Sequence, residues 1–302
     1  MTLIIGPEAE AHLDWIALSD AIEAGHKMPR AEIDDTFLYR GDDTLLSRAA
    51  WIDGLGQLVK TATIFPGNKE VGKPAINGGV CLFSDEDGTL EAIVDFHLLT
   101  KWKTAGDSLL AARKLARPDA KRILLVGAGN VAASLVEAYS AAFPEAEFTI
   151  WNRSPAKAAT FAARYPGMEV ARDLEEAAGA ADIIGTATMA TDPVLAGKWL
   201  SEGTHLDLIG AYRPDMREVD DDTLRRARVF VDSRATTLGH IGELKIPLEA
   251  GVFFESDVVG DFYEMESLTR GDEREITLCK NGGGAHLDLM VARYILDAVR
   301  AR

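Results

Sequence analysis

The residues best suited to chemistry lie in three places. Residues 123–135 read ILLVGAGNVAASL, and Gly127, Gly129 and Ala132 within them fit G-x-G-x-x-A. In that spacing the first glycine makes a tight turn and the second lets the backbone approach a pyrophosphate. The small third residue lets helix and strand pack closely. The amides of the helix that opens there point at the phosphates. A glycine turn with no ligand has the same spacing, but here a strand precedes it, a helix follows and a second strand comes next, which points to a dinucleotide. That second strand ends in Trp151-Asn152-Arg153-Ser154. NAD sites usually place Asp or Glu there for the ribose 2′-hydroxyl. No carboxylate is present. Arg153 suits a 2′-phosphate, with Asn152 and Ser154 as further donors, unless Arg153 is a solvated surface residue. NADP(H) is therefore preferred as cofactor, with NAD(H) possible. The third place is earlier in the chain: Arg48 in LLSRAAW, Lys60 in QLVKTATIF and Lys103 in LLTKWKTAG. Arg48 and Lys60 sit among apolar residues, where a charged head is either solvated on an outer face or turned into a cleft. Three such residues ahead of one nucleotide fold suggest an anion site for a carboxylate.

Two kinds of architecture must position these groups. Residues 8–26 carry Leu13, Ile16, Ala17, Ala21 and Ile22 at helical spacing and predict a helix. From Thr36 to Phe96, short β-rich runs (TFLYR, TLLSRAAWI, QLVKTATIF, GGVCLFS, LEAIVDF) are punctuated by GDD, PGN and DEDG, which predicts a mostly antiparallel sheet. A helix is expected over about 105–116, ending near Arg117-Pro118. Beyond Lys121 strand and helix alternate: RILLVG, VAASLVEAYSAAF, EFTIWN, PAKAATFAARY, then strands in ADIIGTAT, THLDLIGA and RVFVDS. Alternation of this kind predicts a parallel, doubly wound sheet. A glycine loop then feeds an apolar final helix. The fold class is α/β: a Rossmann doubly wound parallel sheet plus a β-rich α+β domain. The expected division is 1–104 with the C-terminal helix, about 285–302, as the substrate and dimerisation domain, and 105–284 as the Rossmann NAD(P)-binding domain.

The bulk numbers narrow the partners. The chain has 302 residues, enough for two ordinary domains, with 47% hydrophobic and 26% charged residues. A formal net charge of −16 argues against nucleic acid or an anionic membrane as partner. The N-terminus has no basic flank and too short an apolar run for a signal peptide, and no stretch approaches the roughly 20 apolar residues of a membrane helix. Cys81 and Cys279 are in no metal-ligand spacing, and a reduced, cytoplasmic protein is the simplest reading.

The chain resembles the ornithine cyclodeaminase/μ-crystallin family over nearly its whole length. The resemblance rests on LVKTATIFPGN (58–68), GTLEAIVDFHLLTKWKTAG (88–106), ARPDAKRILLVGAGNVA (116–132), WNRSPAKA (151–158), ADIIGTAT (181–188), DLIGAYRPDMREVD (207–220), VFVDSR (229–234) and ITLCKNGGGAHLD (276–288). It implies a homodimer built through the first domain, a final helix returning to that domain, and an active site in the cleft beside the nicotinamide. It further implies that Lys60 is the active-site lysine and that Arg48, with Arg40 as the alternative, grips the substrate carboxylate. The family's R-T-A-A motif, whose Arg holds the carboxylate and whose Thr touches the cofactor phosphate, appears as Lys103-Thr104-Ala105-Gly106; lysine keeps the charge and loses the bidentate fork. The late S-x-G-x-A loop near the nicotinamide appears as Asn281 to Ala285, and Asp288 matches the aspartate that follows it, or is a helix-start carboxylate. The implied cofactor set is Thr104, Gly127, Gly129, Asn130, Val131, Asn152, Arg153, Ser154, Thr186, Ala187, Thr188, Gly210 and Asn281.

One departure from the family separates its branches. The cyclodeaminase branch has an Asp where this chain has Tyr212, and a phenol with an ordinary pKa of about 10 is no carboxylate base at neutral pH. Asp215 and Glu218 follow, read as capping or first-turn carboxylates of a helix expected near Pro214. The chain thus resembles the branch that reduces cyclic ketimines, converting Δ1-pyrroline-2-carboxylate and Δ1-piperideine-2-carboxylate to proline and pipecolate with NAD(P)H. The alternatives are an ornithine cyclodeaminase, an alanine-type amino-acid dehydrogenase acting on a linear imine, and a non-catalytic NADP- and small-ligand-binding crystallin-like protein.

Overall fold

The period-two pattern of the first hundred residues folds as a six-stranded sheet. The computed structural model describes residues 1–301, the Lys69 side chain excepted. Its elements run β1 (Leu3–Ile5), α1 (Trp15–His26), β2 (Glu32–Arg40), β3 (Asp43–Ile52), β4 (Gly56–Ile64), β5 (Ile76–Phe83), β6 (Leu90–Asp95) and α2 (Phe96–Leu115). The strand order is β1-β6-β5-β4-β3-β2. All neighbours are antiparallel except the β1–β6 pair, in which a three-residue strand that the sequence reading had not assigned runs parallel. Along β4 burial alternates, and Leu58, Lys60 and Ala62 share the buried face. The strand's own period therefore turns the Lys60 side chain inward.

Two helices differ from the sequence expectation for capping reasons. The expected helix over 8–26 is broken: a 3-10 turn, Pro7–His12, precedes α1. Asp14 leaves helical geometry (φ −126°, ψ 132°), and its carboxylate accepts from the Ala17 amide at 2.8 Å, which starts a new helix. The helix expected from 105 begins nine residues earlier, where the Asp95 carboxylate accepts from the Leu98 amide at 2.8 Å. Lys103 and Thr104 are therefore helical residues.

The second half is a parallel sheet of eight strands. The elements are β7 (Arg122–Val126), α3 (Asn130–Ala142), β8 (Glu147–Trp151), α4 (Pro155–Ala162), β9 (Glu169–Val170), α5 (Leu174–Ala180), β10 (Ile183–Thr186), β11 (His205–Leu208), α6 (Asp221–Arg226), β12 (Ala227–Val231), α7 (Arg234–Thr237), α8 (Gly242–Glu249), β13 (Val258–Asp261) and β14 (Ile276–Lys280). Strand order is β13-β12-β14-β11-β10-β7-β8-β9, and each pair is parallel. Four of these strands, β7, β10, β11 and β14, read as nearly unbroken buried runs, as expected of strands covered on both faces. The chain winds outward from β7 to β9, then returns to β10 on the other side of β7. The fold class is α/β, with a doubly wound parallel sheet.

The chain ends in α9 (Ala285–Arg300), whose buried residues include Leu287, Leu289, Val291, Ile295 and Leu296. The fold divides into two compact units, one of residues 1–103 with 283–302 and one of residues 104–282. The final helix packs against α1, β3 and β4 of the first unit. Residue 302, included in the expected C-terminal helix, lies outside the described residues. No helix among the described residues is long and apolar enough to cross a membrane.

Candidate functional site

In the first unit, sheet register assembles a charged row. Asp35 on β2 pairs across the ladder with Arg48 on β3, and Arg48 pairs with Lys60 on β4. Arg48 binds Asp35 in a fork, Nε to Oδ1 at 3.2 Å and Nη2 to Oδ2 at 2.6 Å, and its Nη1 donates to the Gly283 carbonyl at 3.0 Å. Three of its five N–H groups are thereby used, which leaves one on each terminal nitrogen. Lys60 Nζ donates to Asp288 Oδ1 at 2.9 Å and to Thr100 Oγ1 at 3.1 Å, and lies 4.9 Å from the centre of the Phe96 ring. Lys103 reaches the same place from α2, donating to the Gly283 carbonyl at 3.0 Å with its ammonium 3.8 Å from Asp288. Gly283 has φ +71°, a backbone conformation that favours glycine, and a Cβ there would stand 2.8 Å from Lys103 Nζ and press on that ammonium.

Asp288 is fully buried in the first turn of α9. Burial alone would raise its pKa; Lys103, Lys60 and Arg48 overcome that and hold it below the usual carboxylate range. Burial draws the Lys60 ammonium down to about 8 against the pull of Asp288, with Lys103 and Arg48 adding to the fall. Three cations (Arg48, Lys60, Lys103) face two carboxylates (Asp35, Asp288), a surplus of one positive charge. Such a site can hold a small carboxylate. Arg40, the alternative to Arg48, is placed elsewhere: it sits at the β2–β3 turn, paired with Asp43 at 2.8 Å and largely exposed.

In the second unit the glycine turn follows β7. Gly127 has φ +111°, and a Cβ there would meet the Ala187 carbonyl oxygen at 2.5 Å. Gly129 caps α3 from an extended conformation, and a Cβ there would meet no atom within 4 Å, so the backbone of the turn is left open to approach. Ala132 is fully buried beneath the turn, and Asn130 and Val131 open α3. The chain reverses direction across the sheet between β7 and β10, and open parallel sheets bind ligands at the carboxyl ends of strands at such a point. Arg153 is exposed after β8 and makes no hydrogen bond or ion pair among the described residues; Asn152 donates to the Ser154 carbonyl at 3.1 Å, and Ser154 caps α4 without a side-chain bond. Asn281 is buried, and neither atom of its side-chain amide has a hydrogen-bond partner among the described residues. A glycine turn with room beside it, an uncommitted arginine and an orphaned buried amide all fit a dinucleotide.

The residues between Gly210 and Val219 differ most from expectation. No helix starts near Pro214: Asp215 lies in an exposed turn and pairs with Arg213 at 2.8 Å. Tyr212 is 52% exposed, with the Arg213 guanidinium 5.9 Å from its ring centre. Glu218, read from sequence as a capping residue, is fully buried and accepts from five donors: Thr186 Oγ1, the Thr188 amide and hydroxyl, and the Gly210 and Ala211 amides. The hydroxyls of Thr186 and Thr188, two expected cofactor residues, are thus committed to this carboxylate. Glu243 and Lys280, neither singled out in the sequence, are buried beside it; a lysine closing the apolar strand ITLCK was the available signal. Asp35 and Thr100 were likewise missed. Thr104 is half-buried in α2, and Ala187 and Gly210 sit at the ends of β10 and β11.

Comparison with known proteins gives concordant matches. The model of the ornithine cyclodeaminase/mu-crystallin family matches residues 53–302. A Δ1-pyrroline-2-carboxylate reductase of Paracoccus denitrificans is 49% identical over 296 residues, covering 95% of this chain and 94% of that one. The structure of Thermococcus litoralis Δ1-pyrroline-2-carboxylate reductase, in complex with NADH and L-proline, matches with a TM-score of 0.91 and 25% identity over 99% of this chain and 98% of that one. An archaeal alanine dehydrogenase dimer with bound NAD matches with a TM-score of 0.90 and 26% identity over 99% and 96%.

Proposed function

The chain belongs to the ornithine cyclodeaminase/μ-crystallin family, and from that premise we propose that it reduces cyclic ketimines, Δ1-pyrroline-2-carboxylate and Δ1-piperideine-2-carboxylate, to L-proline and L-pipecolate with NADPH, and less well with NADH. The observation that carries this reading is the surplus positive charge of Arg48, Lys60 and Lys103 around the buried Asp288. The free N–H on each terminal nitrogen of Arg48 matches the two oxygens of a substrate carboxylate, and Lys103 adds a point charge. When bound, the reduced nicotinamide supplies hydride to the imine carbon. Lys60 then supplies the proton that the ring nitrogen takes up. Its pKa of about 8 leaves it mostly protonated at neutrality yet acidic enough to give the proton up, and Asp288 keeps the ammonium oriented. Tyr212 offers no carboxylate for the distal amine of a linear diamino acid, which favours a ring substrate over ornithine.

The exposed, uncommitted Arg153 beside Asn152 and Ser154 supports the preference for a 2′-phosphorylated cofactor. A homodimer through the first unit is supported by β2: it is an edge strand, exposed along all nine residues, and carries Phe37, Leu38 and Tyr39, the kind of edge that pairs with another chain. The free thiols Cys81 and Cys279 agree with a reducing, cytoplasmic setting. The test is absorbance at 340 nm with pure protein. NADPH oxidation with either cyclic imine is expected, with slower turnover of pyruvate plus ammonia and no ammonia release from L-ornithine with NAD⁺. Proline and ammonia from ornithine would overturn the reading.

A further inference from the structure

The buried groups behind the dinucleotide turn form a frame whose partners are almost all backbone. Glu218 draws in the Thr188 amide (2.7 Å), the Gly210 amide (2.8 Å) and the Ala211 amide (3.3 Å), from the segments that follow β10 and β11. Lys280, at the end of β14, does the converse: its ammonium donates to the carbonyls of Leu208 (2.9 Å), Ala211 (2.8 Å) and Asn281 (2.7 Å). Ala211 is thus gripped at both ends, its N–H by a carboxylate and its C=O by an ammonium. Glu243 holds the frame from behind, accepting from the Glu218 amide at 2.8 Å and the Val219 amide at 3.0 Å. A Cβ on Gly210 would stand 2.2 Å from the Thr188 carbonyl oxygen, so the two loops meet in backbone contact around the carboxylate.

Apolar side chains would join β10, β11 and β14 at least as stably, since burying ions is costly even when they are paired. What the ions add is a fixed position for a few peptide groups. The peptides they fix lie at the carboxyl ends of three adjacent strands, where parallel sheets bind ligands. Among them is Asn281, whose N–H donates to the Leu208 carbonyl at 3.1 Å and whose C=O is held by Lys280, while its side-chain amide is buried without a hydrogen-bond partner among the described residues.

We propose that Glu218 and Lys280 are positioning residues for the nicotinamide end of the cofactor, holding the Thr188 and Gly210–Ala211 peptides and presenting the Asn281 amide to the nicotinamide carboxamide. This rests on the dinucleotide reading of the second unit. Both residues act through the backbone and touch no substrate. Burial, with the charge of Glu218 behind it, pushes the Glu243 carboxyl up to about 7.

The test separates the two halves of the cofactor. NADPH binding is followed by its fluorescence, and adenosine 2′,5′-bisphosphate, which carries no nicotinamide, is followed by calorimetry. In Glu218→Gln, an amide replaces an acceptor shared by five donors, and the NADPH dissociation constant should rise about 10-fold or more, with adenosine 2′,5′-bisphosphate within about 2-fold of wild type. Glu243→Gln, a gentler change at a carboxyl already partly protonated, should show the same split at smaller size and serves if Glu218→Gln fails to fold. Unchanged NADPH binding in both variants, or parallel loss of both ligands in a folded variant, would overturn the proposal. Wild-type protein that binds neither NADPH nor NADH would overturn it together with the dinucleotide reading.

Discussion

Replacing Asp288 with Asn should move the basic limb of the pH–rate profile downward. Lys60 titrates near 8 with Asp288 in place, and the carboxylate is the strongest influence holding it that high. The pair is 2.9 Å apart, and both side chains are at most 7% exposed. With an effective dielectric of about 20, unit charges at that distance attract by roughly 6 kcal/mol, an upper figure. One pKa unit is worth about 1.4 kcal/mol. The asparagine oxygen still accepts from Nζ and recovers part of the loss, so the expected fall is about 1–2 units. The sign follows from the charge: without its anion the ammonium is less favoured, and the unprotonated amine takes over at lower pH. If protonated Lys60 is the active form, the limb of kcat/KM near pH 8 shifts to lower pH by that amount, and activity at pH 7 drops about 2–10-fold from this effect alone. The assay is NADPH oxidation with Δ1-pyrroline-2-carboxylate from pH 5.5 to 9.5 in wild type and variant. Titration of the substrate itself is common to both profiles, so the displacement between them is the measured quantity. A limb that stays in place while the rate falls uniformly would refute Lys60 as the proton donor and leave Asp288 a merely structural counter-ion.

Other outcomes follow from the same geometry. Arg48→Ala should lower kcat/KM on the order of 10²-fold, since it removes both free donors of the carboxylate clamp, whereas Arg40→Ala, at the exposed turn, should stay within about 2-fold; the reverse ranking in steady-state kinetics would mean the clamp is misplaced. Arg153→Ala should cut the preference for NADPH over NADH by about 10-fold, the low end for a charge-assisted phosphate contact because Arg153 is exposed, and equal use of both cofactors by the wild type would contradict the reading of that strand end. Burial lowers the His26 pKa from 6.5 to about 4. The unfolded chain therefore takes up a proton below 6.5 that the folded chain refuses until about 4, so stability is full above 6.5 and falls by up to about 3 kcal/mol between those values. Urea melts at pH 7.5 and 5 should show wild type losing more stability on acidification than His26→Gln, and equal losses would exclude His26 as the source.

The parts of the site legible in the sequence are those whose geometry is local. The turn around Gly127 and Gly129 needs only a strand, a glycine spacing and a helix within thirteen residues, and residues 123–135 contain all three. Arg48 and Lys60 stand out as charges in β-like runs, and a short connection puts them opposite each other, because the Arg48–Lys60 pairing is set by the residues between β3 and β4. What could not be read is long range. Asp288 meets Lys60 across 228 positions of sequence, and nothing in its own neighbourhood distinguishes it from a helix-start carboxylate. Glu218 was misread for a related reason: three of its five donors are backbone amides in the segments that follow β10 and β11, and backbone partners leave no side-chain pattern. The early start of α2 was hidden because Asp95 looks alike as the last residue of a strand and as a cap.

The division of the first unit into residues 1–103 and 283–302 has a consequence during synthesis. The sheet that carries Arg48 and Lys60, with the start of α2 after it, leaves the ribosome first; Asp35 is there for Arg48, but Asp288, the partner of Lys60, is made only after the whole of residues 104–282. At about 5–20 residues per second, that delay is on the order of 10–40 s. For that time the nascent sheet must either keep Lys60 hydrated, with the inward face of β4 open, or borrow an anion from its surroundings. The second unit is contiguous in sequence and has no such debt, so it can close while the first is still waiting for Asp288. Folding of the anion site is thus timed by translation, and a message cut short before codon 283 would release a chain with a finished nucleotide fold and three cations lacking Asp288.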